Sequence, residues 1–325
     1  MPDTNQSVQV PQQSVRVATR KSPLALAQAG TVADALAAST GRTPVIVPVS
    51  TLGDLATDPL ASIGGTGVFA GAVREAVLKG EADVAVHSLK DLPTAEFAGL
   101  TLAAVPKRED PRDVLCAGDT SLGIDDLPAQ ARVGTGSPRR AAQLRHHRDD
   151  LSVVDVRGNV ETRLGKVSSG ELDAVVLAYA GLMRLGRLSA ASSVIDPDVM
   201  VPAPGQGALA LEVRDDLSDS DAELYSAVAD LDDFDSRAAV TSERSLLAAL
   251  QAGCSSPVGA LATLSASNQQ EPTIYLRAVV ATVDGTKAFS KSTSGLAQNA
   301  EKVGRQLADD LLASGAAGLL GESST

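Results

Sequence analysis

The sequence contains no tryptophan, and aromatic residues make up only 2% of its 325 positions. Its 40 acidic side chains outnumber its 28 basic ones, which gives a formal net charge of −12. Nucleic-acid-binding proteins generally present basic patches and aromatic stacking surfaces. The composition therefore argues against nucleic acid as a partner.

Cysteine and histidine are also scarce, with two cysteines and three histidines in the chain. Cys116 and Cys254 are too few for a disulfide framework or for a structural zinc site, which takes about four ligands. His146 and His147 are adjacent, in a charged stretch that we expect to be solvated, and His87 stands alone. The sequence therefore predicts no metal site, no catalytic triad, and a reducing, cytoplasmic compartment.

Long hydrophobic runs are absent as well. No apolar stretch approaches the roughly 20 residues that a membrane-spanning helix requires, so no membrane partner is expected. Residues 1–14 are polar, lack the features of a signal peptide, and are predicted to form a disordered tail. With 44% hydrophobic and 21% charged residues, the remainder has a globular composition sufficient for about two or three domains.

Short β-like runs alternate with amphipathic stretches, a pattern typical of α/β domains. Ser22-Pro23 and Ser137-Pro138 each resemble a helix N-cap followed by the first helical residue. Residues 107–112 are charged and contain proline, and residues 201–207 are rich in proline and glycine, so both are candidate crossings between domains. The strand-like run 208–213 is then predicted to return to the first domain.

The pattern changes again from residue 235. A helix over residues 236–251 is predicted to precede two strand-like runs, and Asp284-Gly285 is typical of a β-hairpin turn. A last helix is predicted over residues 298–313. These elements indicate a third, smaller unit.

Gly65-x-Gly67-x-x-Ala70 superficially fits a dinucleotide-binding fingerprint. That fingerprint requires a strand directly before it and an acidic residue about 20 positions later, at the end of a second strand. Residues 61–64 form a poor strand. A loop or helix-entry turn is therefore favoured, and a nucleotide-dependent enzyme stays open as an alternative.

Basic side chains recur where predicted strands end and the next helices begin. Ligands of open α/β sheets bind at this edge, and arginine grips carboxylate or phosphate through a planar fork. A single arginine there is most simply a solvated surface charge, but the recurrence predicts an anionic ligand. The residues are Arg20, Lys21, Lys90, Arg139, Arg140, Arg157, Arg163 and Arg184.

Asp91 and Cys254 are two further candidates. Asp91 follows a predicted strand, where a carboxylate can serve as a turn residue, a lysine partner, a cation stabiliser or a proton carrier. Cys116 lies in a core strand by pattern, where a thiol is usually inert. Cys254 lies in a loop of small residues after a helix, so it is the better candidate for a covalent attachment point or a redox-active thiol.

Taken in chain order, seven segments resemble the porphobilinogen deaminase (hydroxymethylbilane synthase) family, and the resemblance spans Val15 to Gly315. The segments are Ala18–Ala25, His87–Pro93, Gly134–Arg140, Arg157–Arg163, Ala180–Gly186, Pro204–Ala208 and Gly253-Cys254.

The resemblance implies an α/β fold with two periplasmic-binding-protein-like (type II) lobes and a smaller C-terminal α/β domain. The expected first domain is 15–107 plus 208–228, the second is 108–207, and the third, carrying the cofactor cysteine, is 229–325. A monomer is expected.

The implied activity is that of a transferase in porphyrin, tetrapyrrole and haem biosynthesis. Four porphobilinogen molecules are joined head to tail, with loss of ammonia, on a dipyrromethane cofactor held by Cys254 through a thioether. Hydrolysis then releases hydroxymethylbilane. Asp91 is implied to assist the loss of ammonia and to stabilise the resulting cation.

The resemblance also divides the side chains between two ligands. Those implied to hold the cofactor are Cys254, Ser22, Lys90, Asp91, Arg139, Arg140, Arg163 and Arg184. Those implied to bind porphobilinogen are Arg20, Ser22, Arg157, Arg163 and Gln206.

Three positions depart from the family pattern. Ser62 and Thr66 stand where many members have lysines, and Leu52 replaces a commonly basic residue. The departures at Ser62 and Thr66 bear on the role of the glycine-rich loop 61–67 more than on the reaction. A second hypothesis of a different class is a non-catalytic, two-lobed module that binds an anion such as a dicarboxylate.

Overall fold

A computed structural model describes residues 13–51, 70–253, 256–265 and 271–321. The strands are β1 (Ser14–Arg20), β2 (Thr43–Val49), β3 (Val84–Ser88), β4 (Leu100–Ala104), β5 (Asp113–Ala117), β6 (Arg132–Gly134), β7 (Ser152–Val154), β8 (Ala174–Ala178), β9 (Ser193–Val194), β10 (Leu209–Arg214), β11 (Val258–Ser265), β12 (Thr273–Ala281) and β13 (Ala288–Leu296). The helices are α1 (Pro23–Thr40), α2 (Gly71–Leu78), α3 (Pro138–His147), α4 (Val160–Ser168), α5 (Tyr179–Arg184), α6 (Leu217–Ser220), α7 (Ala222–Ala229), α8 (Phe234–Ala249), α9 (Ala300–Ala313) and α10 (Ala316–Gly321).

Two five-stranded sheets share one design. The first has the order β2-β1-β3-β10-β4 and the second the order β7-β6-β8-β5-β9. In each, parallel strands are joined by one antiparallel strand that arrives from a crossing: β10 beside β3 in the first, and β5 beside β8 in the second. The predicted return of the chain after the second crossing is confirmed, and so is the α/β class with two lobes.

The cap chemistry of both Ser-Pro helix starts is also confirmed. The Ser22 hydroxyl accepts a hydrogen bond from the Ala25 amide at 3.3 Å, and Pro23 opens α1. Ser137 accepts from the Arg140 amide in the same way at the start of α3. Each helix begins just after a strand of its sheet, so its first turn faces the edge where ligands bind.

The third sheet is antiparallel, with the order β11-β12-β13, and α8 and α9 pack against it. Its core is aliphatic, and its largest fully buried side chains are those of Leu246, Ile274, Leu276, Leu307 and Leu311. The predicted turn at Asp284-Gly285 joins β12 to β13, with Gly285 at φ +76°. Strand β13 itself was not predicted, because Ser290–Ser294 is polar and mostly exposed.

Some predicted boundaries were wrong. The strand expected over residues 82–86 is Val84–Ser88, because the amides of Glu81 and Ala82 instead bond to the Ala76 carbonyl at the end of α2. Of the predicted tail, residues 1–12 lie outside the described part of the chain, whereas Ser14 already begins β1. In the described residues no helix has both the length and the apolar character needed to cross a membrane.

Candidate functional site

A pocket of about 90 Å³ lies at the carboxyl edge of the first sheet. Arg20 and Ser22 reach it from the junction of β1 and α1, and Lys90 and Asp91 from the short 3₁₀ turn after β3. Because β1 and β3 are parallel neighbours, their carboxyl ends meet here. The Arg20 guanidinium lies 3.7 Å from the Asp91 carboxylate. Four of the predicted site residues are therefore brought together.

The second lobe contributes a buried charge cluster. Arg139 and Arg140, in the first turn of α3, are only 3% and 6% exposed. Asp113, at the start of β5 and fully buried, accepts from Nε and an NH2 group of Arg140 at 3.0 and 2.7 Å. It also forms an ion pair with Arg139 at 2.8 Å. Two guanidinium groups thus share one carboxylate, and the cluster keeps a net positive charge.

Asp113 was missed by sequence reasoning, because nothing local distinguishes it from a charged residue of the crossing. Burial alone would raise the pKa of Asp113, but Arg139 and Arg140 more than offset this effect and hold that pKa well below its ordinary value. The carboxylate therefore stays ionised while fully buried.

Gln206 occupies the point where the two lobes and both crossings meet. Its carboxamide donates to the Pro111 carbonyl at 2.7 Å and to Asp113 at 2.8 Å. Its oxygen accepts from Lys90 at 3.3 Å and from Arg140 at 3.5 Å. The sequence predicts that this side chain binds substrate; in the structure the residue is 1% exposed, and every hydrogen-bonding position of its amide is engaged by protein groups. Gln206 thus links Lys90 of the first lobe to Asp113 and Arg140 of the second.

Three further predicted arginines surround this cluster. Arg163 donates from Nε to the Gly158 carbonyl at 2.9 Å, and Arg184 donates to the Gly207 carbonyl at 2.7 Å. Arg157 lies 3.9 Å from Asp155 and is partly exposed. Among the described residues, these three guanidinium groups make no further hydrogen bond to the protein.

The cations of the cleft are crowded and partly desolvated. Burial, with a further contribution from Arg140, lowers the pKa of Lys90 to about 8. Burial, with contributions from Arg140 and Arg157, lowers the pKa of Arg163 to about 10. Burial likewise lowers the pKa of Arg139 and of Arg184. A bound anion would relieve this mutual repulsion, and such strained charges are typical of binding sites.

The sequence suggests that His87 stands alone, but in the structure it belongs to a buried network. Its Nε2 lies 3.2 Å from the Glu212 carboxylate, which also receives a bidentate pair of hydrogen bonds from Arg74 at 2.8 and 2.7 Å. The Arg74 guanidinium stacks 4.6 Å above the Phe97 ring. This buried network ties α2 to β3 and β10 beneath the pocket. It was missed because its members lie far apart in sequence.

The third domain is joined to the first crossing by a buried ion pair. Arg108 donates to both oxygens of Glu243 at 2.7 and 3.0 Å, and Glu243 is fully buried. The same carboxylate accepts from the amides of Gly205 and Ala262. The Glu243 carboxylate therefore holds the first crossing, the second crossing and β11 together.

The two cysteines have different surroundings. Cys116 is 2% exposed in β5, and burial raises the pKa of its thiol to about 12, so the predicted packing role is confirmed. Cys254 lies outside the described residues; Gly253, which precedes it, follows α8 in the third domain. Leu52, Ser62, Thr66 and the Gly65–Gly67 segment also fall outside them.

Comparison with known proteins decides between the remaining hypotheses. The model of "Porphobilinogen deaminase, dipyromethane cofactor binding domain" matches residues 15–222, and that of the C-terminal domain matches residues 237–313. The chain belongs to the porphobilinogen deaminase family. It is 53% identical to porphobilinogen deaminase 1 of Streptomyces coelicolor over 319 residues, covering 96% of this chain and 98% of that protein. It is 50% identical to porphobilinogen deaminase of Leifsonia xyli over 317 residues, covering 95% and 94%.

A solved structure similar to the chain is the periplasmic VFT2 domain of Bordetella pertussis BvgS. It is 18% identical, with a TM-score of 0.38, and covers 68% of this chain and 87% of that one. The family models and the curated relatives support the porphobilinogen deaminase reaction over a binding module.

Proposed function

We propose that this porphobilinogen deaminase carries its dipyrromethane on Cys254 and joins four porphobilinogen molecules to it at the Asp91 pocket, releasing hydroxymethylbilane by hydrolysis. The observation that carries the proposal is the position of Asp91. It lies beside Arg20 in a pocket that Lys90 also lines, and the Lys90 ammonium shares the Gln206 side-chain oxygen with Arg140 of the second lobe.

The donor set of the cleft fits a ligand with several carboxylates. The Nε of Arg139 is buried without a hydrogen-bond partner among the described residues. Arginine forks suit the acetate and propionate groups that each pyrrole ring carries. We assign the cofactor carboxylates to Lys90, Arg139, Arg140, Arg163 and Arg184, with Ser22 as a hydroxyl donor. When bound, the dipyrromethane supplies the pyrrole carbon to which the first substrate is joined.

Arg20, Arg157 and Arg163 are assigned to the carboxylates of the incoming porphobilinogen, together with Ser22. Loss of ammonia leaves positive charge on that substrate. The Asp91 carboxylate is 35% exposed and carries the opposite charge within the pocket, so it stabilises this cation and can accept a hydrogen bond from the pyrrole N–H. Gln206 contributes by orienting Lys90 and Arg140.

The sheets support the domain bounds 15–107 plus 208–228, 108–207 and 229–325, because β10 returns to the first sheet and β11 begins the third. We further propose a cytoplasmic monomer that has porphobilinogen as its small-molecule partner and needs no nucleic acid or membrane. Neither point affects the chemistry of the cleft.

The activity is tested by incubating purified protein with porphobilinogen and measuring released ammonia against tetrapyrrole. We expect four ammonia molecules per hydroxymethylbilane. Reversible binding of porphobilinogen without ammonia release would instead support the anion-binding module.

Replacing Gln206 with leucine tests the assignment of this residue as a link. The change leaves Asp113, Lys90 and Arg140 each without one partner, so we expect a loss of about 1–3 kcal/mol in the free energy of unfolding and a fall in kcat. Urea denaturation measures the first quantity and ammonia release the second. Gln298→Leu, at an exposed position, is the matched control. Unchanged stability with a raised KM would show that Gln206 contacts substrate instead.

A further inference from the structure

The turn between β12 and β13 packs directly on α3, the helix that carries Arg139 and Arg140. Arg145, in the last turn of α3, donates to the Val283 carbonyl at 2.8 Å. The Nδ1 of His146 lies 2.9 Å from the Gly285 carbonyl oxygen, which can only accept, so the imidazole carries a hydrogen on Nδ1. The third domain thus holds one end of this helix.

Gly285 leaves no room between the turn and the helix. A Cβ at this position would lie 2.6 Å from Cβ of Arg145, 2.7 Å from the Ala142 carbonyl oxygen and 2.8 Å from the His146 amide nitrogen. These atoms belong to the backbone or to the first side-chain carbon, so they cannot swing aside. Position 285 therefore requires glycine, both because a Cβ has no space there and because its φ is +76°.

The turn is held by hydrogen bonds among its own residues, in addition to its contact with α3. The Asp284 carboxylate accepts from the Thr286 amide at 3.0 Å and from the Thr286 hydroxyl at 2.8 Å. The Gly285 amide donates to the Thr282 carbonyl, and the Lys287 amide donates to the Thr282 hydroxyl. Because of these internal hydrogen bonds, the turn can limit the movement of α3.

The third domain also reaches the other end of α3. The Val201 carbonyl accepts from the Arg139 guanidinium at 2.7 Å. Gly259 of β11 packs so closely on Val201 that a Cβ there would lie 2.6 Å from the same carbonyl oxygen. The Ala260 amide donates to the neighbouring Pro202 carbonyl at 2.9 Å. The third domain therefore contacts the C-terminal end of α3 directly and its N-terminal end through Val201 and Pro202.

We propose that the turn Thr282–Lys287 is a positioning element for Arg139 and Arg140. It fixes α3 along its axis, and this inference rests on the function proposed above for those arginines. From Arg140 to Arg145 the helix rises about 7.5 Å, a distance over which it behaves as a stiff rod. A displacement at the turn therefore reaches the first turn of the helix. Neither Gly285 nor Arg145 is assigned any contact with substrate.

Gly285→Ala in the full-length protein tests the proposal, with Gly170→Ala as the matched control. Gly170 has a similar φ of +74° but open space around its Cβ position, so its variant carries the same backbone strain without the clash. For Gly285→Ala we expect kcat to fall about tenfold or more relative to the control, with KM within about twofold. KM is retained because Arg20, Arg157 and Arg163 lie outside α3.

A second variant, Arg145→Met, removes the contact with Val283 without introducing a clash. We expect it to lower kcat by about threefold, again with KM nearly unchanged. Intact mass should also show a larger fraction of Gly285→Ala molecules without cofactor. Equal kcat and equal cofactor loading in Gly285→Ala and Gly170→Ala, with Arg145→Met like the wild type, would overturn the proposal. If the wild type itself releases no ammonia, it is the proposed function that fails.

Discussion

Asp91→Asn is expected to lower kcat by about three orders of magnitude while the protein keeps its cofactor. Asparagine preserves the shape of the side chain and removes its negative charge. The cation formed by loss of ammonia would then face Arg20 and Lys90 with no carboxylate beside it. Ammonia release measures kcat, and intact mass measures the retained cofactor.

Glu96→Gln is the control for the Asp91 variant, because Glu96 is an exposed carboxylate in the same region of the first lobe. This variant should turn over like the wild type. An Asp91→Asn protein with kcat within tenfold of the wild type would remove Asp91 from the mechanism.

Asp113→Ala is expected to reduce the free energy of unfolding by about 3–5 kcal/mol, because it leaves two buried guanidinium groups without their shared carboxylate. Urea denaturation at pH 7 measures the loss. Asp173→Ala is the comparison, since Asp173 pairs with Arg132 at 40% exposure. Removing that surface pair should change stability by less than about 1 kcal/mol. Equal, small losses in both variants would contradict the description of Asp113 as the centre of a buried cluster.

The pH dependence of this effect has a defined sign. The pKa of Asp113 is lower in the folded protein than its ordinary value of 3.8, so its ionised form stabilises the fold above that pH. This stabilisation is lost as the pH falls toward the lower pKa of the folded state. The stability difference between wild type and Asp113→Ala should therefore be constant from pH 7 to about pH 5 and should shrink in stronger acid.

The parts of the site that could be predicted are those with local signatures. Ser22-Pro23 and Ser137-Pro138 fix where two helices begin, and the parallel strands before them bring those starts to the ligand-binding edge. The grouping of Arg20 with Asp91 follows from β1 and β3 being neighbours. The negative net charge of the chain does not oppose the binding of an anionic ligand, because the cleft is locally positive.

The parts that could not be predicted depend on pairing between distant segments. Asp113 pairs with arginines that lie 26 and 27 positions later in the sequence, and Arg108 pairs with Glu243, which lies 135 positions later. Neither carboxylate has a spacing or neighbour that marks it. Gln206 was assigned to substrate from a motif, and its links to both lobes become visible only once the crossings are folded.

The covalent attachment is the central claim, and intact mass measurement of protein produced in a host that makes porphobilinogen tests it most directly. We predict a chain heavier than its sequence by two linked pyrrole units, with the added mass on the peptide that contains Cys254. Cys116→Ser should keep this added mass, and Cys254→Ser should lose it. An unmodified wild-type chain that gains no mass when porphobilinogen is added would contradict the account.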